Sequence, residues 1–314
     1  MLGEKKSVLR GEKHTLAALW LLSFFLLFYF LRSPNLAAGS VRSALEVCAV
    51  GLIPSLFPFI VLVSIINSSG LSAQIARVIG YPLGCLFGIN SRASSAILLG
   101  ALGGFPIGAV CARELYSKGD VTKAEAERLI AFTNNASPAF CIGAVGTALF
   151  SDTSFGVRLY IAQISAAIII GILGRKKTCV STIPDLVPSR ASISESVTSA
   201  ISGAAVSMLK ICAFTVFFAV VGDALCAVLH HYFGSTAAAL GALLCELTLG
   251  ARMCSVLDSG ISRVLCALAI GWSGISVHLQ VASILSDSGL SMRRYYICKL
   301  IQGILSALII FAIM

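Results

Sequence analysis

Apolar residues run along this chain in blocks of about twenty, and that spacing leaves few folds available to it. The first block covers residues 15–31. At 1.5 Å per residue, a helix over that block is about 26 Å long, close to the hydrocarbon core of a bilayer. Comparable blocks follow at 46–66, 94–115, 156–173, 200–229, 236–256, 264–285 and 295–314. Hydrophobic residues make up 57% of the 314 and charged residues 12%, against about 45–50% and about 25% in soluble domains. A soluble enzyme, a disordered chain and a nucleic-acid binder are thereby excluded. The reading is an all-α polytopic membrane protein, with about 8–10 membrane segments in two inverted repeats built from re-entrant hairpins and broken helices. Its expected parts are an N-terminal transmembrane helix with its linker (1–44), a first repeat (45–174), a polar linker (175–197) and a second repeat (198–314).

The net charge of +9 is gathered in three clusters: Lys5, Lys6, Arg10 and Lys13; Arg175, Lys176, Lys177 and Arg190; and Arg293, Arg294 and Lys299. In a membrane chain such clusters mark cytoplasmic flanks. The block at 15–31 exceeds the roughly 7–15 residues of a signal peptide's apolar region, so an uncleaved first helix with its N-terminus inside is expected. The 11 cysteines form no CxxC pair. Most lie inside apolar blocks (Cys48, Cys141, Cys212, Cys226, Cys245, Cys266) and read as small buried hydrophobes. Neither a metal site nor a cofactor is expected.

Irregular backbone marks the chemistry. Pro54 and Pro58 should kink the second block. Ser43 and Glu46 have capping-box spacing, as do Thr122 and Glu125. The stretch 71–89, interrupted at residues 80–82, suits a short or interfacial helix. Gly103, Gly104, Phe105, Pro106 and Gly108 interrupt the block at 94–115 and suggest a hairpin that enters and leaves on one side. Residues 134–138, Asn-Asn-Ala-Ser-Pro, break the next helix. The second half repeats the pattern more faintly: Glu246 to Gly250 stands where the hairpin tip would be, and residues 271–280 form the second break. Inverted repeats with a binding site between broken helices leave this kind of trace.

Polar groups at lipid depth are costly and so are usually functional or paired. The first half offers Asn134, Asn135 and Ser137. The second offers Glu246, Thr248, Ser273, Ser276, His278 and Gln280. These residues either bind a solute or only cap the helix breaks and bond one another. Half-helix N-termini suit carboxylates and other anions. His278 could bind a carboxylate, relay a proton or bond between helices. Glu246 could carry a coupling proton or pair with Arg252 or Lys210, and Asp223 could pair with Lys210. Glu46 reads as a helix cap. Glu246 and His278 suit proton coupling, whereas exposed carbonyls at the breaks suit sodium. Gly271 to Gly274 has the GxSG form of an intramembrane serine protease. On one helix, however, Ser273 and His278 point about 140° apart, so the pair does not meet.

Residues 103–109, 124–129, 133–140, 142–146, 274–283 and 53–59 resemble, in order, motifs of the YlbJ (SpoVV) type of sporulation integral membrane protein, and the resemblance extends from about residue 45 to the C-terminus. It implies a nucleoside-recognition (Gate) domain distantly similar to concentrative nucleoside transporters. It also implies a multi-pass protein of the bacterial cell membrane, in the mother-cell-derived outer forespore membrane. The implied activity is import of dipicolinic acid during endospore formation by alternating access. The positions it points to are Gly104, Phe105, Pro106, Asn134, Asn135, Ser137, Ser276, His278 and Gln280. Trp272 and Ser273 stand where a glycine-rich pair is expected. Alternatives are a nucleoside transporter or channel and a structural membrane partner in spore maturation. The expected partners are a small anionic solute, the bilayer and a coupling ion (H+ or Na+), with no nucleic acid. A homo-oligomer is compatible with all of these readings.

Overall fold

The computed structural model describes residues 2–69, 71–176, 193–257 and 260–314. The linker expected at 175–197, with Pro184 and Pro188, lies largely outside the described residues. So do the side chains of the first basic cluster, Lys5, Lys6, Arg10 and Lys13.

Every regular element among the described residues is a helix. In order they are α1 (Leu2–Arg32), α2 (Pro34–Glu46), α3 (Ile53–Ser68), α4 (Leu71–Phe87), α5 (Ser94–Gly103), α6 (Ile107–Ser117), α7 (Lys123–Thr133), α8 (Thr153–Leu173), α9 (Ile193–Cys245), α10 (Leu247–Ser255), α11 (Ser262–Trp272), α12 (Gly274–Leu285) and α13 (Arg293–Ile313). Wide π-helical turns join α2 to α3 over Val47–Leu52 and carry the chain from the first break to α8 over Ala139–Leu149. Among the described residues, four helices are long and apolar enough to cross a membrane: Thr153–Leu173, Ser194–Cys245, Ser262–Leu285 and Arg293–Ile313. Two further pairs, bent by 105° each, bring the number to six. The chain is an all-α polytopic membrane protein. The four to six candidate spans are fewer than the 8–10 segments expected, because Leu56–Ile66 and Ala139–Leu149 are apolar but too short to cross alone.

One local expectation fails. Ser43 and Glu46 do not open a helix, because α2 passes through both into the π turn without a side-chain cap, so Glu46 caps nothing. The π turn ends just before Pro54, at the start of α3, and Pro58 is accommodated inside that helix. The second block therefore widens rather than breaks, which relaxes the missing proline donor. Thr122 and Glu125, by contrast, form a complete capping box at α7. Glu125 also accepts the Asn90 N–H at 2.9 Å, which ties α7 to the turn before α5.

Each half carries a hairpin followed by a helix break. Gly104, Phe105 and Pro106 separate α5 from α6, with a cis bond at Phe105–Pro106. The α9 chain turns at Gly234 (φ 82°), and residues 235–245 then pair with α10 as a second hairpin whose tip is Glu246. Residues 134–137 break the helix after the first hairpin, and Ser273 breaks the one after the second. The packing interlocks: α6 lies against α12, while α10 lies against the π-helix that follows the first break. The long closing helices α8 and α13 pack on each other, and each also crosses the other half's broken helix. At the two main crossings the backbones touch. A Cβ on Gly146 would come 2.5 Å from the Gly156 Cα, and one on Gly271 would come 2.6 Å from the Gly303 Cα. Small residues are what let membrane helices approach so closely.

Candidate functional site

Each hairpin tip presses on its own half's break. Gly104 has φ 84°, and a Cβ there would meet the Ser137 Cβ at 2.9 Å. Gly274 has φ 78°, and a Cβ there would meet the Glu246 Cα at 3.2 Å. Ser273, immediately before it, holds φ 82°. A left-handed conformation costs a non-glycine residue about 1–2 kcal/mol. The strain sits where the second helix must break, in the place where a glycine-rich pair is expected.

The tips and breaks enclose a cleft of about 60 Å³. Its polar lining is Ser137, Thr215, Glu246, Thr248 and Gln280, and Phe105 and Phe140 supply its aromatic walls. Helix N-termini begin at or beside it: α6 just after Phe105, the π-helix at Ala139, α10 at Leu247, and α12 at Gly274 against Glu246. Two first-turn donors are already taken, Phe140 N–H by Ser137 Oγ at 3.2 Å and Leu249 N–H by Glu246 Oε2 at 2.7 Å. Glu246 thus serves as the cap of α10.

Cavities lie on both sides along the same helices. A cavity of about 670 Å³ is lined by Ile60 and Ser64 of α3, Ser207 and Lys210 of α9, Arg113 of α6 and Ile284 of α12. The cleft takes Leu56 of α3 and Ile211 and Thr215 of α9. A second space of about 60 Å³ follows at Val47 and at Thr215, Ala219 and Asp223. The three spaces succeed one another along α9 and along the run from α3 back through the π turn to α2.

Not every expected site residue reaches the cleft. Gly104, Phe105, Ser137 and Gln280 line it, as does Glu246, whereas Pro106 stands just behind the tip as the N-cap of α6. Ser276 is buried and bonds to Gln280 Nε2 at 3.3 Å. Asn134, Asn135 and His278 turn instead toward α13, which offers stronger partners. Asn134 Nδ2 donates to the Tyr295 hydroxyl at 3.4 Å, and the same hydroxyl lies 3.1 Å from His278 Nδ1. Gln302 Nε2 donates to Asn135 Oδ1 at 2.7 Å and to the Gln163 carbonyl at 3.1 Å. Gln163 Nε2 in turn donates to the Ala136 carbonyl at 2.7 Å.

Lys299 anchors this network, and its reading as a cytoplasmic flank is wrong. It is wholly buried, and its ammonium donates to the Asn134 carbonyl at 2.7 Å and to Gln302 Oε1 at 2.8 Å. Its Nζ also stands 4.9 Å from the centre of the Phe105 ring, a cation–π distance. The signal was present in the sequence: Tyr295, Lys299, Gln302 and Ser306 recur at helical spacing along one face of α13, and all four are fully buried. Gln163 is the matching polar residue on α8, also fully buried. Two buried atoms of the network, Asn134 Oδ1 and His278 Nε2, have no partner.

The ion pairs lie away from the cleft. Asp223 pairs with Arg252 at 3.8 Å rather than with Lys210, which leaves Glu246 to its capping role. Asp152 bonds Arg263 at 2.9 Å. The Ser273 hydroxyl contacts the Ile270 carbonyl at 3.4 Å, and His278 faces Tyr295, so the two make no dyad. The cysteines named above are free. Cys212 is half-buried and the others are buried.

The fold and its interior define a polytopic helical membrane protein with two hairpins and two broken helices packed about a narrow cleft of mixed polar and apolar lining. In sequence it is similar to the sporulation integral membrane protein YlbJ of Bacillus subtilis (strain 168). The two are 24% identical over 319 aligned positions, covering 88% of this chain and 77% of that protein. No family model matches the chain, and no solved structure matches it.

Proposed function

We propose that this chain is a sporulation membrane transporter of the YlbJ kind, moving a small flat carboxylate through the cleft by alternating access. The observation that carries the reading is the convergence of both hairpin tips, the first helix break and the helix that follows the second break on one cleft with a partly polar lining. That space lies in line with a larger cavity on one side and a second narrow one on the other. Broken helices at membrane depth are tolerated where they line such a space, and transporters of this architecture bind solutes there. The converging helix N-termini favour negative charge. The resemblance in sequence supports dipicolinic acid as the solute and the outer forespore membrane as the place where it acts.

The cleft of about 60 Å³ has room for only a few waters, so it is a closed state that must widen around a ring. Glu246 sets a condition. An ionised carboxylate in the cleft repels an anionic solute, whereas a protonated one can donate to it. Entry of the anion is therefore linked to a proton on Glu246. Na+ is not needed for that step.

A nucleoside is the second reading. Glu246 and Gln280 between Phe105 and Phe140 would suit a sugar and a base. Uptake of labelled dipicolinate into proteoliposomes, with uridine as competitor, decides between them. Uptake unaffected by excess uridine supports the carboxylate. Uridine uptake without dipicolinate uptake supports the nucleoside. Absence of both, with a tightly copurifying subunit, would make the chain a structural partner.

A further inference from the structure

Among the described residues, Lys299 is the buried lysine that meets the first helix break directly. Two of its three N–H bonds go to oxygens, the Asn134 carbonyl at 2.7 Å and Gln302 Oε1 at 2.8 Å. Its remaining side faces the Phe105 ring, whose atoms also line the cleft. Among the described residues no Asp or Glu pairs with it. Burial without a counter-charge opposes the charged form, and what offsets it is the pair of oxygens that accept from Nζ. The broken helix exposes the Asn134 carbonyl, and α13 supplies the Gln302 amide oxygen.

Carbonyl and amide oxygens of this kind, at an unwound helix, are the ligands that hold a dissociable cation in other membrane transporters. Here a side chain of the protein already fills the position. We propose that the Lys299 ammonium is a tethered cation for the first helix break. It does the work of a bound alkali-metal ion, so transport through the cleft needs no sodium. Lys299 is a positioning residue: it holds the broken helix, and through Phe105 the hairpin tip, in register with α13. The proposal rests on the transporter reading.

The discriminating experiment exchanges cations around the wild-type chain and Lys299→Gln. Removing the ammonium leaves two oxygens, Asn134 O and Gln302 Oε1, facing the vacated position, and a small alkali cation should bind them. Dipicolinate uptake by wild-type proteoliposomes is expected to stay within twofold when Na+ is replaced by choline. Uptake by Lys299→Gln is expected to fall at least tenfold in choline and to recover at least threefold in Na+ or Li+. A merely structural lysine would not change the cation dependence. In detergent, the unfolding midpoint of the variant should rise in Na+ relative to choline, while that of the wild type should not move. Wild-type uptake that stops in choline overturns the proposal, as does a variant equally active and equally stable in all three salts. Should Lys299→Gln fail to fold, Lys299→Met together with the wild-type salt series carries the test. If the wild type transports nothing in any salt, the transporter reading falls, and the unfolding midpoints still decide whether the break takes a cation.

Discussion

Gly104 stands so close to Ser137 that a methyl group on it would fall 2.9 Å from the serine Cβ. The first hairpin can therefore meet the first break only through a glycine. Gly104→Ala would add left-handed strain of about 1–2 kcal/mol to that overlap. A lower unfolding midpoint and a severalfold loss of uptake are expected. Combining it with Ser137→Gly should recover the part due to overlap and leave the part due to strain.

Ser273 makes the opposite prediction. Its φ of 82° is unfavourable for serine, and its hydroxyl makes only a 3.4 Å contact with the Ile270 carbonyl. Ser273→Gly should stabilise the folded chain by about 1 kcal/mol. Thermal unfolding in detergent checks this, and an unchanged or lowered midpoint would contradict it.

Gln302 bonds Lys299, Asn135 and the Gln163 carbonyl from a fully buried position. Gln302→Leu leaves each of those partners short of a bond in a dry interior, which costs about 1–3 kcal/mol. Ile304 of the same helix is 47% exposed. Ile304→Ala should shift the midpoint by much less, since surface changes fall within about 0.5 kcal/mol.

Glu246 is the titratable side chain of the cleft. If the solute's carboxylate enters with a proton on Glu246, dipicolinate uptake rises as the pH falls and declines as it rises. Glu246→Gln should flatten that profile, because a neutral amide fills the place of the protonated acid at every pH. Initial rates across a pH series, with the solute's own ionisation held in its dianionic range, read this directly. A variant whose profile matches the wild type removes Glu246 from the coupling step.

The succession of cavities predicts accessibility. In a chain carrying Cys85→Ser, which removes an exposed thiol, Ser207→Cys in the 670 Å³ cavity should react quickly with a water-soluble maleimide. Thr248→Cys, in the cleft of about 60 Å³, should react far more slowly. Equal rates would mean that the cleft is not the narrow point.

Much of the frame was legible because backbone irregularity is written in a few residue types. Gly103 to Pro106 and Asn134 to Pro138 named the first tip and the first break, and Gly271 to Gly274 named the second break. The direction in which the side chains point was not legible. Asn134, Asn135 and His278 are drawn away from the cleft by groups more than a hundred residues distant or on the next helix. A break at residue 134 carries no trace of Lys299. Proximity to Arg293 and Arg294 made Lys299 look like part of a surface cluster, although a turn and a half of helix separates it from them. Glu46 failed for a related reason. Its capping-box spacing was genuine, but the helix already passed through it, so no free N–H group remained to cap.

Where Gly146 meets Gly156, and again where Gly271 meets Gly303, no side chain stands between the two backbones. Interlocking side chains resist both sliding and tilting. Bare main chains in contact resist approach, and side chains take up the packing only to either side, as Val145 and Phe155 do at the first crossing and Ile270 and Ile310 at the second. These points are natural fulcrums: a tilt of a few degrees about them moves the ends of the broken helices far more than their middles.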